Sequence, residues 1–240
     1  MRLPSIVFCL LVLTSSAPAL ALDANEQTWD KSTDVDFWVY SVTWQPTFCL
    51  MSPTTAGCDQ VPQRLLSHGI WPYANSTYQF TNRHPQNCVD SSSCDNKGVC
   101  DMDETQLKQV LADAPLRGIV TRDPEGMFKH EWRKHGTCSG KTMVGYFQAL
   151  VDLRSQVVVL KDPKAFESMI GQATPFSKIR DVFPANTAFR CYRDPAGKQY
   201  LHEVFYLIDQ QGNPYLPTKS LQIGVQCTEQ DTWVPRGNAV

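Results

Sequence analysis

Residues 129–138 read Lys-His-Glu-Trp-Arg-Lys-His-Gly-Thr-Cys and concentrate ionisable side chains as no other stretch of this 240-residue chain does. If residues 124 to about 135 form a helix with about 100° per residue, then His130, Glu131, Lys134 and His135 lie within about 140° of arc. Gly136 is expected to end this helix. Two imidazoles, an ammonium and a carboxylate on one face suit an anionic substrate that also requires proton transfer.

The segments around this helix predict the fold class. Apolar periodicity and helix-start signals predict further helices over 103–112, 142–160, 162–170 and 175–182. Alternating or β-rich runs predict strands over 35–44, 187–192, 199–208 and 221–227. Helices in the middle of the chain with strands at both ends predict an α+β fold. No composition shift marks a boundary, so residues 22–240 are expected to form a single domain.

Three other interpretations of residues 130–138 remain open on this segment alone. A zinc-protease helix needs histidines at i and i+4, but His135 follows His130 at i+5, which makes this interpretation weak. His130, His135 and Cys138 are also candidate metal ligands, although an even number of cysteines makes Cys138 a better candidate for a disulfide. The segment is also compatible with a solvated charged helix face.

A second unusual segment is Ser67-His68-Gly69-Ile70-Trp71-Pro72. A histidine beside a glycine and close to Trp-Pro indicates a specific local backbone shape. His68 alone is compatible with a structural, hydrogen-bonded histidine. Together with His130 and His135, however, it strengthens the catalytic interpretation.

The first 21 residues resemble an export signal. Arg2 precedes an apolar run over 6–13, and Ala19-Leu20-Ala21 has the form of a signal-peptidase site. The run is shorter than the roughly 20 residues that span a bilayer. We therefore expect cleavage after residue 21 and export to the periplasm or the cell exterior, without a membrane partner.

Composition supports an exported protein without a broadly basic surface. Removing the signal also removes Cys9 and leaves eight cysteines, an even number that predicts disulfides in an oxidising compartment. These cysteines are Cys49, Cys58, Cys88, Cys94, Cys100, Cys138, Cys191 and Cys227. The formal net charge of −2 excludes a nucleic-acid coat protein or a polybasic membrane binder, but not a local cationic site.

The segments at residues 68–72 and 130–138 resemble the signatures of the ribonuclease T2 family of secreted RNA-cleaving enzymes. Residues 68–72 match His-Gly-Leu-Trp-Pro with Ile70 in place of leucine, and residues 130–138 match His-Glu-Trp-x-Lys-His-Gly-Thr-Cys throughout. The resemblance extends to 44–49, 84–88 and 201–204. It implies an α+β fold in which an antiparallel sheet packs against helices. It also implies the disulfides Cys88–Cys138 and Cys191–Cys227, which leave Cys49–Cys58 and Cys94–Cys100 as short local loops.

The resemblance also implies a mechanism and the role of each site residue. The 2′-hydroxyl of single-stranded RNA attacks the neighbouring phosphorus and a 2′,3′-cyclic phosphate forms, without a metal or other cofactor. His135 is then the base, His68 the acid and His130 a phosphate ligand. Lys134 and Glu131 stabilise the transition state. Whether Glu131 orients Lys134 or His135, or binds a phosphoryl oxygen when protonated, is left open.

Substrate binding and two departures from the family pattern need separate expectations. Trp71 is either a stacking platform for a base or part of the core. Tyr73 occupies the place of a base-reading aspartate of fungal members, and Thr43 stands where many members carry glutamine, so base preference is not predicted. We expect a monomer that cleaves single-stranded RNA and not DNA. The alternatives are a secreted RNA-binding or cell-surface-interacting homologue without catalysis, and a metal-dependent hydrolase.

Overall fold

The computed structural model describes residues 35–73, 86–88, 100–120, 124–217 and 221–238. The predicted signal segment, His84 and Cys94 lie outside these ranges. The described residues form one α+β domain, as predicted. Among them, no helix combines the length and the apolar character that crossing a membrane requires.

A six-stranded sheet organises the domain. Its strands are β1 (Phe37–Trp44), β2 (Leu65–Tyr73), β3 (Ala173–Pro175), β4 (Thr187–Arg193), β5 (Gln199–Ile208) and β6 (Asp231–Trp233). Their order is β2-β1-β5-β6-β3, and β4 pairs with the other edge of β5. All pairs are antiparallel except β5 with β6, so the expectation of an antiparallel sheet holds apart from one short parallel contact.

The sheet contains two β-bulges, one in the pairing of β1 with β2 and one in the pairing of β4 with β5. In the pairing of β1 with β2, Ser41 faces Gly69 and Val42 faces Ser67, which leaves His68 as the extra residue. In the pairing of β4 with β5, Arg190 faces Glu203 and Cys191 faces Leu201, so that residue 202 is extra. A bulge increases the local twist and re-aims a side chain. Both bulges therefore change the direction of side chains near the middle of the sheet.

The described residues form seven α-helices, and the predicted segments match five of them closely. The helices are α1 (Gln45–Met51), α2 (Glu104–Ala112), α3 (Ala114–Ile119), α4 (Pro124–Lys134), α5 (Met143–Val157), α6 (Pro163–Met169) and α7 (Phe176–Asp181). Asp103 caps α2 by accepting from the N–H of Gln106, whose side chain in turn accepts from the N–H of Asp103. Thr142 and Asp162 cap α5 and α6 in the same N-terminal position. Side-chain acceptors of this kind satisfy backbone donors that have no partner within the helix.

The sheet has a different apolar environment on each face. The larger core packs the helices against one face through buried residues such as Val204 and Tyr206 of β5. A smaller cluster on the opposite face contains Trp71, Phe37 and Phe205. Neighbouring residues of a strand point to opposite faces of the sheet, and here both faces are covered. The strands β1 and β5 are therefore buried along nearly their whole length. Of the site residues that the sequence singled out, Trp71 belongs to this second cluster.

One predicted strand requires correction, and five elements of the described residues were not predicted. Residues 221–227 were predicted to form a strand, but they make only an isolated bridge between Gln226 and Arg190. Gly224 has a φ of 65° there, which no extended strand maintains. The strand β2 and the short elements α1, α3, β3 and β6 were not predicted. Residues 211–213 form a turn after β5, in which the Gly212 N–H donates to the Asp209 carbonyl.

Candidate active site

His68 lies at the bulge of β2 and is flanked by two carboxylates. Its Nδ1 is 2.6 Å from Oε1 of Glu203 on β5, and its Nε2 is 3.3 Å from Oε1 of Glu131 on α4. Burial disfavours the imidazolium, but the charges of Glu131 and Glu203 outweigh burial and raise the pKa of His68 from 6.5 to about 10. About a third of this side chain is exposed, whereas both carboxylates are almost fully buried. His68 is therefore a protonated group at neutral pH that reaches solvent.

Glu131 connects the helix α4 to the strand β2. Its Oε2 accepts a 2.8 Å hydrogen bond from Nε1 of Trp71. Burial alone would raise the pKa of Glu131, but the adjacent imidazolium of His68 and the Trp71 donor lower it. Glu131 is consequently ionised at neutral pH. Glu131 thus contacts both Trp71 and His68 of β2.

The indole of Trp71 lies between two imidazoles. It stacks on His135 with ring centroids 4.8 Å apart and planes inclined by 20°, and it meets His68 edge-on at 5.5 Å. Trp71 is 5% exposed and also contacts Phe205. In the structure Trp71 is therefore packed among other side chains. Its stacking on an RNA base stays a prediction.

His135 is positioned just after the end of α4. The helix ends at Lys134, one residue earlier than expected, and a turn of 3₁₀ helix follows over Gly136–Cys138. The N–H of His135 still donates to the carbonyl of Glu131 at 2.9 Å. Gly136 is required for packing, because a Cβ there would lie 2.3 Å from Cε3 of Trp132. The buried imidazole of His135 is thereby fixed against Trp71.

His130 and Lys134 complete the cluster from the same helix, and both are half-buried. Burial lowers the pKa of His130, and the positive charge of Lys134 adds to this effect while Glu131 opposes it. His130 is therefore a neutral imidazole at neutral pH. The predicted helix face thus brings its four ionisable residues together, with Trp132 directed into the core and Arg133 exposed.

A disulfide holds the segment 86–88 against the end of α4. Cys88 pairs with Cys138, as the resemblance implied. The N–H of Asn87 donates to the carbonyl of Lys134, and the N–H of Cys88 donates to Oγ1 of Thr137. The first of these bonds satisfies the Lys134 carbonyl, a backbone acceptor that the end of α4 leaves open. The predicted pairs Cys49–Cys58 and Cys191–Cys227 are also present, while Cys100 is disulfide-bonded and its predicted partner Cys94 is outside the described residues.

Glu203 is the principal site residue that was not predicted. Besides His68, it contacts Nη1 of Arg190 on β4 and the hydroxyl of Thr43 on β1, each at 3.2 Å. Burial would raise the pKa of Glu203, but the imidazolium of His68 and then His202 and Arg190 hold it well below its usual range. The available sequence signal was a His-Glu pair inside an otherwise apolar strand, at residues 201–205.

The two positions that depart from the family pattern are both buried. Thr43 is 7% exposed and donates to Glu203. Tyr73 is 1% exposed, and its ring stacks on Phe37, which stacks in turn on Tyr215. Within the described ranges, no cluster of three or more His, Cys, Asp or Glu side chains is arranged to hold a metal ion.

Comparisons with known proteins agree with this geometry. The sequence pattern described as the Ribonuclease T2 family matches residues 35–227. Ribonuclease 1 of Arabidopsis thaliana is 27% identical over 195 residues, which cover 76% of this chain and 79% of that protein. Intracellular ribonuclease LX of Solanum lycopersicum is 25% identical over 220 residues, which cover 82% of each chain.

A similar fold is found among solved structures. A mutant of RNase MC1 in complex with 5′-UMP superposes with a TM-score of 0.59 and 22% identity, covering 82% of this chain and 97% of that one. At this level of identity the likeness concerns the fold alone, whereas the match over residues 35–227 concerns the sequence itself. The chain therefore belongs to the Ribonuclease T2 family of endoribonucleases.

Proposed function

We propose that this endoribonuclease cleaves single-stranded RNA by transphosphorylation, through a 2′,3′-cyclic phosphate and without a metal ion. The observation that carries the proposal is the placement of His68 and His135 on either side of Trp71, with Glu131 and Lys134 on the same helix. Two imidazoles suit a reaction that removes one proton and delivers another, because each titrates near neutral pH unless its surroundings shift it.

The charge state of His68 supports its role as the acid. A group whose pKa is raised to about 10 is protonated throughout the neutral range and has a proton to deliver to the departing 5′ oxygen. His135 then takes the proton of the attacking 2′-hydroxyl. The buried stacking contact with Trp71 restricts rotation of the His135 ring. A fixed orientation of the base favours in-line attack.

The remaining residues bind and stabilise the phosphate. In this proposal, His130 as a neutral imidazole donates one hydrogen bond to a phosphoryl oxygen, and Lys134 offsets the charge that develops on the equatorial oxygens. Because the pKa of Glu131 is lowered, its carboxylate is a poor candidate for donating a proton to phosphate. Its contacts favour a role in orienting Trp71 and His68.

We further propose that the protein is exported and acts as a monomer, with no DNA or membrane partner. Support for export comes from the sequence pattern of residues 1–21 and from three disulfides among the described residues. Such bonds persist in oxidising compartments. One relative is named intracellular, so the chain's own features carry this part of the proposal. Detection of the mature N-terminus at residue 22 after secretion would test it.

The chemistry can be tested with matched oligonucleotides. The wild-type protein is incubated with single-stranded RNA, with the same sequence as DNA, and with the same RNA carrying 2′-O-methyl groups, each with and without EDTA. We expect cleavage of the unmodified RNA alone, insensitive to EDTA, with early products that end in 2′,3′-cyclic phosphate. A metal-activated water would instead attack either backbone and would stop when the metal is removed.

The same assay distinguishes the alternative function. A secreted homologue that binds RNA or a cell surface without catalysis would shift the mobility of the RNA and leave it intact. EDTA-sensitive cleavage of both RNA and DNA to 5′-phosphate ends would overturn the transphosphorylation mechanism.

A further inference from the structure

Glu203 joins three strands at a single buried carboxylate. It accepts from His68 on β2 at 2.6 Å, and from Thr43 on β1 and Arg190 on β4 at 3.2 Å each. Its side chain is 2% exposed. A buried carboxylate is costly unless it is paired and hydrogen-bonded, and this one is satisfied by both kinds of partner.

The backbone is adapted to bring Glu203 and His68 together. The strand β1 lies between β2 and β5, so the His68 ring must extend across β1 to reach Glu203. The extra residue of β2 is His68 itself, and the extra residue of β5 directly precedes Glu203. A salt bridge between Glu203 and Arg190 alone would need only the regular pairing of β4 with β5, in which these two residues already face each other.

We propose that Glu203 is the positioning residue of the general acid: it accepts the Nδ1–H of His68 and thereby leaves the Nε2–H, on the nitrogen 3.3 Å from Glu131, as the proton that passes to the scissile phosphate ester. This inference rests on the proposed function of the same site. A carboxylate that holds one ring nitrogen fixes the tautomer and orientation of the other, as in the aspartate–histidine pair of serine proteases.

The proton balance of the step is simple. As the bond from phosphorus to the 5′ oxygen breaks, the Nε2 proton of His68 passes to that oxygen. His68 is left neutral, with its remaining proton on Nδ1 and still bonded to Glu203. Water then returns a proton to Nε2 before the next turnover. Glu203 stays ionised throughout and does not transfer a proton.

The charged surroundings of His68 make the role of Glu203 separable from a structural one. Glu131 and His130 face it from α4, Glu203 lies below it on β5, and Arg190 adjoins Glu203 from β4. Removing the charge of Glu203 takes away one of the two carboxylates that raise the His68 pKa and leaves Arg190 without its ion pair to Glu203. Removing Arg190 has the opposite effect, because Glu203 then loses one of the positive groups beside it and its charge acts more strongly on His68.

The decisive comparison is between Glu203→Gln and Arg190→Met. Each loses the same Glu203–Arg190 ion pair, so a purely structural role predicts similar changes in both. The positioning role predicts that Glu203→Gln lowers the His68 pKa measured by NMR titration, whereas Arg190→Met leaves it unchanged or raises it. It also predicts that Glu203→Gln lowers kcat about 10- to 100-fold with little change in KM. The alkaline limb of its kcat profile should move to lower pH.

Matched variants keep the test interpretable. Glu229→Gln makes the same substitution at an exposed glutamate that pairs with Arg180 outside the site, and it should behave as wild type. If Glu203→Gln does not fold, Glu203→Asp retains the charge but withdraws it by one methylene. Glu203→Asp should keep a high His68 pKa and still lose kcat.

Two failures are distinguishable. If the wild-type protein does not cleave RNA, the proposed function fails, while the NMR titration of His68 still reports whether Glu203 controls it. If the wild type cleaves RNA but Glu203→Gln retains both kcat and the His68 pKa, the positioning role alone is overturned. Unchanged kcat in Glu203→Asp would overturn it as well.

Discussion

Gly69 and Glu131 approach so closely that no side chain can stand between them: a Cβ on Gly69 would lie 1.9 Å from Oε2 of Glu131. It would also lie 2.6 Å from Nε1 of Trp71, and therefore at the hydrogen bond that joins Trp71 to Glu131. Residue 69 must therefore be glycine if the carboxylate of Glu131 is to keep its position. The two sequence signatures meet at this contact.

The first prediction concerns this contact. Gly69→Ala should displace Glu131 and Trp71 and lower kcat about 100-fold, because misplacement by about 1 Å has effects of this size. Overpacking should also lower the free energy of unfolding by about 1–3 kcal/mol. The matched control is Gly126→Ala, on the helix α4 that carries Glu131, since nothing lies within 4 Å of its added Cβ. Steady-state kinetics and urea unfolding of both variants are the measurements, and equal kcat values would contradict the steric argument.

The second prediction concerns the two proton-transfer histidines. His68→Ala and His135→Ala should each reduce turnover of RNA by about 10²- to 10⁴-fold while circular dichroism shows a folded protein. His84→Ala should retain activity, because His84 belongs to neither signature. His202 is a poorer control, since its charge contributes to the lowered pKa of Glu203. Near-normal turnover in either signature variant would refute the two-histidine mechanism.

The third prediction is a pH dependence of stability that arises from the His68–Glu203 pair. The pKa of His68 is raised in the folded state, so its contribution is fully present below pH 6.5 and is lost as pH rises toward about 10. The pKa of Glu203 is lowered, so its contribution is present above about pH 4.5 and is lost as pH falls. This pair therefore favours maximal stability between about pH 4.5 and 6.5.

Urea unfolding at pH 5.5, 7.5 and 9 checks this dependence. Between pH 7.5 and 9 the free energy of unfolding should fall with a slope of at most about 1.4 kcal/mol per pH unit, the limit for one proton. His68→Asn should flatten the slope, whatever its effect on absolute stability. An unchanged slope in His68→Asn would assign the pH dependence to other groups.

The fourth prediction concerns the disulfide between Cys88 and Cys138. It closes a loop of 50 residues, and loop entropy predicts a loss of about 4 kcal/mol when both cysteines are replaced by alanine. Activity should fall further than stability explains, because the bridge holds the segment that bonds to Lys134 and Thr137. Replacing Cys49 and Cys58, which are nine residues apart, should cost about 3 kcal/mol and leave kcat largely intact in the folded fraction. Equal kcat in both folded double variants would contradict the coupling.

The sequence predicted the helices better than the sheet, for a local reason. Caps such as Asp103 and Thr142 and the apolar repeat of α5 are readable over a few residues. The strand β2 was not predicted, because a bulge, Gly69 and Pro72 within it break the alternation that identifies strands. Conversely, residues 221–227 had strand-like composition, but the turn at Gly224 ends any extended ladder.

The site residues show the same contrast between features that a few consecutive residues reveal and contacts between distant residues. His68, His130, Glu131, Lys134 and His135 were identified from two contiguous signatures, and the structure brings them together. Glu203 could not be assigned in this way, because it lies 135 residues from His68 in sequence. Its contact depends on the order of strands and on the two bulges, which pairing register determines.

The bulge at His68 makes the geometry of this site sensitive to chain length at one point. In a strand, adding or removing one residue exchanges the two faces for everything beyond it. Losing Ser67 would therefore move His68 into the place opposite Val42 and turn the imidazole toward Tyr40 and α5, even if every side chain of the site were retained. Substitutions can be tolerated gradually over evolutionary time, but insertions and deletions at this position act all at once. The spacing of residues in β2 is in this sense as much a part of the enzyme as their chemistry.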